Sequence, residues 1–239
     1  MRAVSIVANA RAAFSYFSIL PTAGAGAPDA RMMAFLPLVG AVIGALAGTA
    51  GWALALAAPH VLAVAAAFGL SIVLSGALHV DGFLDACDAL FAAVPPERRL
   101  AILKDPDHGT YAIAYFAVLC AIWLGALWSI DPVRLPLGLA FAAAAARWIA
   151  VCIAFRVPYG AAGEQPSWRV HALMGLLVLG LGWSYWGHAV ILVALGSLTF
   201  LAAHWIRSRL GGRITGDCYG FLIVCTEVAI LAGLPLTSP

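Results

Sequence analysis

Asp81, Asp85 and Asp88 stand at i, i+4 and i+7 in GALHVDGFLDACDALF, residues 76–91. On a helix of 3.6 residues per turn they fall within an arc of about 60°. Like charges so placed repel one another, and no Lys or Arg is interleaved among them. The group calls for a cation, and a few carboxylates completed by substrate phosphates form the usual Mg2+ arrangement. The competing reading is a solvated acidic face at a membrane surface. His79, just ahead of the acids, reads as a ligand, a base or a hydrogen-bonded interface residue.

Two further segments carry polar chemistry. In LKDPDHGTYA, residues 103–112, Lys104 is the chain's only lysine, a point charge suited to a phosphate oxygen. Asp-Pro and His-Gly-Thr break the chain there, and Thr110 is expected to cap the helix that follows. The free N–H groups of such a helix start suit an anion. In GGRITGDCYG, residues 211–220, a Gly-Gly turn feeds the last apolar run and puts Arg213, Thr215 and Asp217 at its mouth. Glu227 lies about ten residues further into that run. A carboxylate inside a span is a functional candidate by default, and it is equally a partner for Arg147, which is similarly intramembrane.

The elements that must position these groups follow from composition. Of 239 residues, 64% are hydrophobic and 10% charged, against about 45–50% and about 25% in soluble domains. One soluble core could not hide so much apolar surface, and disorder needs the opposite composition. The chain therefore reads as an all-α polytopic membrane bundle, a single domain over 1–239. A span needs roughly 20 apolar residues, and seven stretches qualify or nearly so: 34–58, 60–77, 111–130, 136–155, 171–187, 189–206 and 219–236. Residues 1–21 read as an amphipathic or interfacial helix, and the acidic segment as a short interfacial one. Gly40, Gly44 and Gly48 repeat at the spacing that permits close helix contact. The five cysteines include no Cys-x-x-Cys pair, so neither a disulfide framework nor a zinc site is expected.

Placing the charges fixes an expected orientation. With the N-terminus in the cytoplasm, eleven of the thirteen basic residues fall on cytoplasmic segments, Arg134 lies outside and Arg147 lies within a span. This is a strong positive-inside pattern. Most acids, Asp29 and Glu164 included, fall on the same side. The net charge of +2 forms no basic patch, which speaks against a nucleic-acid partner.

These segments together resemble the cobalamin synthase, or adenosylcobinamide-GDP ribazoletransferase, family. Residues 76–91 match its G-x-L-H-x-D-G-x-x-D-x-x-D-G-L-F pattern at nearly every fixed position. Lys104-Asp105 with Gly109-Thr110, the run from Gly211 to Gly220, Glu227, FLPLVG at 35–40 and the Phe17–Pro21 stretch match in order. Three positions depart: Ala89 stands for the usual glycine, Asp107-His108 for a basic residue, and the Pro158–Gly160 turn lacks a following arginine. The resemblance implies a Mg2+-dependent transfer joining adenosylcobinamide-GDP to alpha-ribazole, or its 5′-phosphate, with release of GMP, in a bacterial inner membrane and with the active site cytoplasmic. It implies metal ligation by Asp81, Asp85 and Asp88, with Asp217 or Asp105 completing the site. Catalytic parts fall to Asp105 as proton acceptor, Lys104 against phosphate charge, and His79. Gly109, Thr110, Arg147, Arg213, Thr215 and Glu227 become substrate-binding candidates. A homo-oligomer stays open as a partner, beside the lipid bilayer. Two rivals remain: a CDP-alcohol phosphotransferase, whose later motif parts are missing after Asp88, and an ion-coupled transporter. A transporter would place its site near midplane, whereas these acids collect at one interface.

Overall fold

The computed structural model describes residues 3–22, 30–156, 167–183 and 189–237. Asp29, Glu164 and the Pro158–Gly160 turn of the sequence reading lie outside them. The described chain is helical, without a strand: α1 (Ala3–Phe17), α2 (Ala30–Met33), α3 (Leu36–Ala55), α4 (His60–Leu74), α5 (Leu78–Phe91), α6 (Pro96–Ile102), α7 (Thr110–Trp128), α8 (Leu135–Ala154), α9 (Trp168–Leu181), α10 (Ala189–Arg209) and α11 (Gly216–Gly233).

Four described segments are long and apolar enough to cross a membrane: Leu36–Ala55, Thr110–Trp128, Pro132–Ala154 and Gly216–Leu236. A fifth is gained if α4 and α5, bent by 85°, count as one broken span. The expected count of seven is not confirmed among the described residues. The stretch 60–77 yields a helix of only 15 residues, about 22 Å at 1.5 Å per residue, because the backbone turns left-handed at Gly76 (φ 61°) and Ala77 (φ 57°). The stretch 171–187 yields α9, a helix of 14 residues. The stretch 189–206 falls on α10, whose first three side chains are not described.

The core is α3 against α8, antiparallel, with the glycine repeat at the crossing. A methyl at Gly40 would stand 2.6 Å from the Ala143 carbonyl oxygen. Methyls at Gly44 and Gly48 would press still closer on the carbonyls of Leu139 and Leu135. α8 is buried along most of its length, including the run Phe141–Ala146, as expected of a helix surrounded by others. Buried Leu, Ile and Phe side chains of α3, α8 and α11 continue the core. Van der Waals packing between small-residue faces, rather than water exclusion, holds such helices together in lipid.

α5 does not run along the bundle. It crosses the N-terminal ends of α7 and α11, with Phe83 stacked on Phe221 (ring centroids 5.4 Å apart) and near Phe116. Two guanidinium groups hold its far end: Arg99 donates to the carbonyls of Ala89 and Leu90, both at 2.7 Å, and Arg209 to Leu90 at 2.9 Å. Cations at a helix C-terminus satisfy otherwise orphaned carbonyls. The expected interfacial acidic helix is therefore present, and it lies across one end of the bundle.

Candidate functional site

The site is assembled where α5 crosses the first turn of α11. Gly211 (φ 66°) and Gly212 (φ 91°) make the left-handed turn that ends α10, with the Gly212 N–H donating to Arg207 O at 2.8 Å. The chain then re-enters as α11 with Asp217 in its first turn. Two glycines let the helices touch. A methyl at Gly82 would lie 2.9 Å from Asp217 Cα and from its carbonyl oxygen, and one at Gly220 would lie 3.1 Å from His79 O. Backbone contact at this crossing is what brings Asp217 beside Asp81 and Asp85.

Asp81 is exposed and Asp85 half-buried. Burial, then Asp81 and Asp217, push the Asp85 carboxyl up to about 6, with Asp88 adding less. Like charges so close raise the cost of ionisation, and a proton or another cation would relieve it. His108 lies against the same acids: its Nδ1 stands 3.3 Å from Asp85 Oδ1 and its Nε2 4.0 Å from Asp81 Oδ1. Sequence reasoning passed over His108 as a departure from the family pattern. Only the fold of the 103–109 loop over α5 reveals it, since no helical spacing links the two segments.

Asp88 has a different task from its neighbours. It is buried, and its two oxygens accept the backbone N–H groups of Gly109 and of Ala112, the latter at 3.0 Å. It caps α7 from another helix, so Thr110, expected to be the cap, is exposed and makes no side-chain cap bond. The carboxylate already fills the anion position at the start of α7, leaving two fewer N–H groups there for a phosphate. Gly109 is needed for this approach, since a methyl would sit 2.9 Å from Asp88 Oδ1.

The remaining candidates divide. Lys104 and Asp105 are exposed on the 103–109 loop, and Asp105 turns back to accept the Asp107 N–H at 3.2 Å. Arg213 is exposed on the 211–215 turn, and the Thr215 hydroxyl meets Cys218 Sγ at 3.3 Å. Arg147 and Glu227 are buried and pair with each other at 2.7 Å, Arg147 also donating to Ala143 O at 2.9 Å. That pair ties α8 to α11 inside the bundle. His79 is buried, stacked near Phe17, with Nε2 lacking a hydrogen-bond partner among the described residues.

Among the described residues no three His, Cys, Asp or Glu side chains form a ready metal cage. Mg2+ seldom uses one, keeping waters and binding through one or two carboxylates plus substrate phosphates. The hard-oxygen donors Asp81, Asp85 and Asp217, held in mutual repulsion at an open surface, fit that habit.

Comparison with known proteins identifies the family. The family model described as cobalamin-5-phosphate synthase matches residues 9–235. An adenosylcobinamide-GDP ribazoletransferase of Deinococcus radiodurans is 35% identical over 209 residues, covering 84% of this chain and 74% of that protein. Proteins of the same name from Stutzerimonas stutzeri and Azorhizobium caulinodans are 32% and 31% identical, covering 91% and 98% of this chain and 91% and 97% of their own lengths. No solved structure matches. With nearly its whole length matched and the motif acids gathered at one crossing, the chain belongs to the cobalamin-5-phosphate synthase family.

Proposed function

We propose that this chain is a membrane adenosylcobinamide-GDP ribazoletransferase. It joins adenosylcobinamide-GDP and alpha-ribazole, or its 5′-phosphate, to give adenosylcobalamin, or its 5′-phosphate, and GMP. A ribose hydroxyl of the acceptor forms a bond to the cobinamide-linked phosphorus, the bond from that phosphorus to the bridging oxygen of GMP breaks, and the hydroxyl proton is released. The observation that carries this reading is the convergence of Asp81, Asp85 and Asp217 in a chain matched over most of its length by the ribazoletransferase relatives.

Asp81, Asp85 and Asp217 would hold Mg2+. When bound, the ion neutralises pyrophosphate charge and stabilises the leaving oxygen. The chain's own residues do the positioning. The Gly82–Asp217 contact fixes the spacing of the acids, and Arg99 and Arg209 pin α5 in place. His108, oriented by Asp85, is better placed than Asp105 to accept the hydroxyl proton, because Asp105 faces its own loop. Lys104 stands exposed on the same loop, where its charge would offset that of phosphate. The positive-inside pattern supports a bacterial inner-membrane location with the α5 end and the N-terminus cytoplasmic.

The protein purified into liposomes and supplied with both substrates should release GMP and a cobalamin product in equal amounts. Solute flux without product would instead favour the transporter reading.

A further inference from the structure

A cavity of about 140 Å³ lies directly beneath the acidic crossing. Tyr16 and Phe17 of α1 and Ala150 of α8 wall it, and His79 lines it. Asp81 and Asp217 also line it, so the cavity opens onto the carboxylates. We infer that this cavity seats the fused aromatic base of the acceptor nucleoside, with its ribose directed out toward Asp81 and Asp217. The inference rests on the transferase reading above and names one substrate's seat within it.

Size restricts the occupant first. A protein cavity of about 150 Å³ admits benzene, so a pocket of this volume, open at one side, takes a flat one- or two-ring group and not a corrin. Polarity restricts it next. Guanine carries hydrogen-bonding groups around most of its edge, and burying them unpaired is costly. This cavity is walled largely by apolar and aromatic side chains. A dimethylbenzimidazole ring, by contrast, is apolar except for its ring nitrogens, one of which is bonded to the sugar. The wall provides one matching polar group that is not otherwise engaged: His79 is 6% exposed and its Nε2 has no hydrogen-bond partner among the described residues. An imidazole left so inside a folded protein is costly unless a ligand completes it. Phe17, stacked near His79 at 6.2 Å, offers a planar surface for the ring. Finally, a base seated here puts its sugar at the open side, next to the acids assigned to phosphoryl chemistry.

The seat also gives α1 a purpose that an interfacial anchor lacks, since its last turn supplies two of the aromatic walls.

The test measures alpha-ribazole binding by calorimetry to the full chain in nanodiscs without the cobinamide donor, beside steady-state kinetics with both substrates. Ala150→Phe, which fills the cavity, should weaken alpha-ribazole binding at least tenfold and raise its KM in parallel, leaving the KM for adenosylcobinamide-GDP within twofold. His79→Leu should lower acceptor affinity, and His79→Gln should restore part of it. In the unmodified protein, free dimethylbenzimidazole should compete with alpha-ribazole and not with the donor, which needs no variant to fold. Absence of alpha-ribazole binding, a rise in donor KM in place of acceptor KM, or competition of the free base with the donor would overturn the seat. Binding of alpha-ribazole that is lost in Ala150→Phe, but with no product formed by the unmodified protein, would support the seat while sinking the transfer reaction.

Discussion

Gly82→Ala is the smallest change that pulls the acidic crossing apart. The added methyl would stand 2.9 Å from Asp217 Cα and from its carbonyl oxygen, and ordinary contact begins near 3.4 Å, so α5 and α11 must separate by about 0.5 Å. Both obstructing atoms are backbone, so no side chain can swing aside. Misplacing catalytic groups by about 1 Å costs on the order of 100-fold in rate. Half of that displacement, acting on Asp81 and Asp85 relative to Asp217, predicts a loss of about 10-fold, or about 1.4 kcal/mol of activation free energy. Overpacking should also lower stability by about 1–3 kcal/mol. The assay pairs transfer rate at saturating substrates with thermal unfolding in nanodiscs. Gly69→Ala and Gly125→Ala serve as controls, since a methyl at either meets nothing within 4 Å and alanine favours helix over glycine. If Gly82→Ala keeps more than half the wild-type rate, the crossing is not what sets the geometry of the acids.

Other outcomes follow from the same structure. Asp88→Ala removes the α7 cap and should cost about 0.5–2 kcal/mol of stability, read by thermal unfolding, even in metal-free protein where a purely ligating aspartate would show no loss. Glu227→Gln strands a buried guanidinium and should destabilise by several kcal/mol, on the order of 3–5; the double variant Arg147→Met with Glu227→Leu should recover much of that. Because the folded Asp85 carboxyl sits at about 6 against an unfolded value near 4, its stabilising contribution is present below about pH 4 and lost as pH rises through 6. Metal-free protein should thus gain more unfolding temperature from added Mg2+ at pH 7 than at pH 5. Ala77→Gly relieves a left-handed alanine at the α4–α5 bend, a strain of about 1–2 kcal/mol, and should leave unfolding temperature equal or higher.

Much of this was legible before the structure, for local reasons. The spacing of Asp81 and Asp85 places both on one helix face whatever surrounds it, and the Gly-Gly turn announces that Asp217 begins a helix. Gly40, Gly44 and Gly48 foretold a close crossing, since one turn of helix separates each from the next. Arg147 and Glu227 were each legible as costly intramembrane charges, and pairing was one of the two readings offered. What failed depended on partners distant in sequence. Asp88 shares the acidic face by spacing, but it lies where α7 starts, and that helix's N–H groups claim it. His108 belongs to a loop whose path no periodicity describes. The 85° bend at Gly76–Ala77 is equally hidden, because an apolar run contains no sign of where its backbone turns. The cavity under Asp81 and Asp217 needs α1, α8 and α11 together, so no single segment could have disclosed it.

The central claim is that Asp81, Asp85 and Asp217 form one metal-dependent transfer centre. Its most direct test is the Mg2+ dependence of product formation by the purified protein, compared with Asp85→Asn and Asp217→Asn. Wild type should form product only with Mg2+, and each variant should lose at least 100-fold in rate or need far more Mg2+ while remaining folded. Product formed equally well in a chelator, or by either folded variant at the wild-type Mg2+ response, would contradict the account.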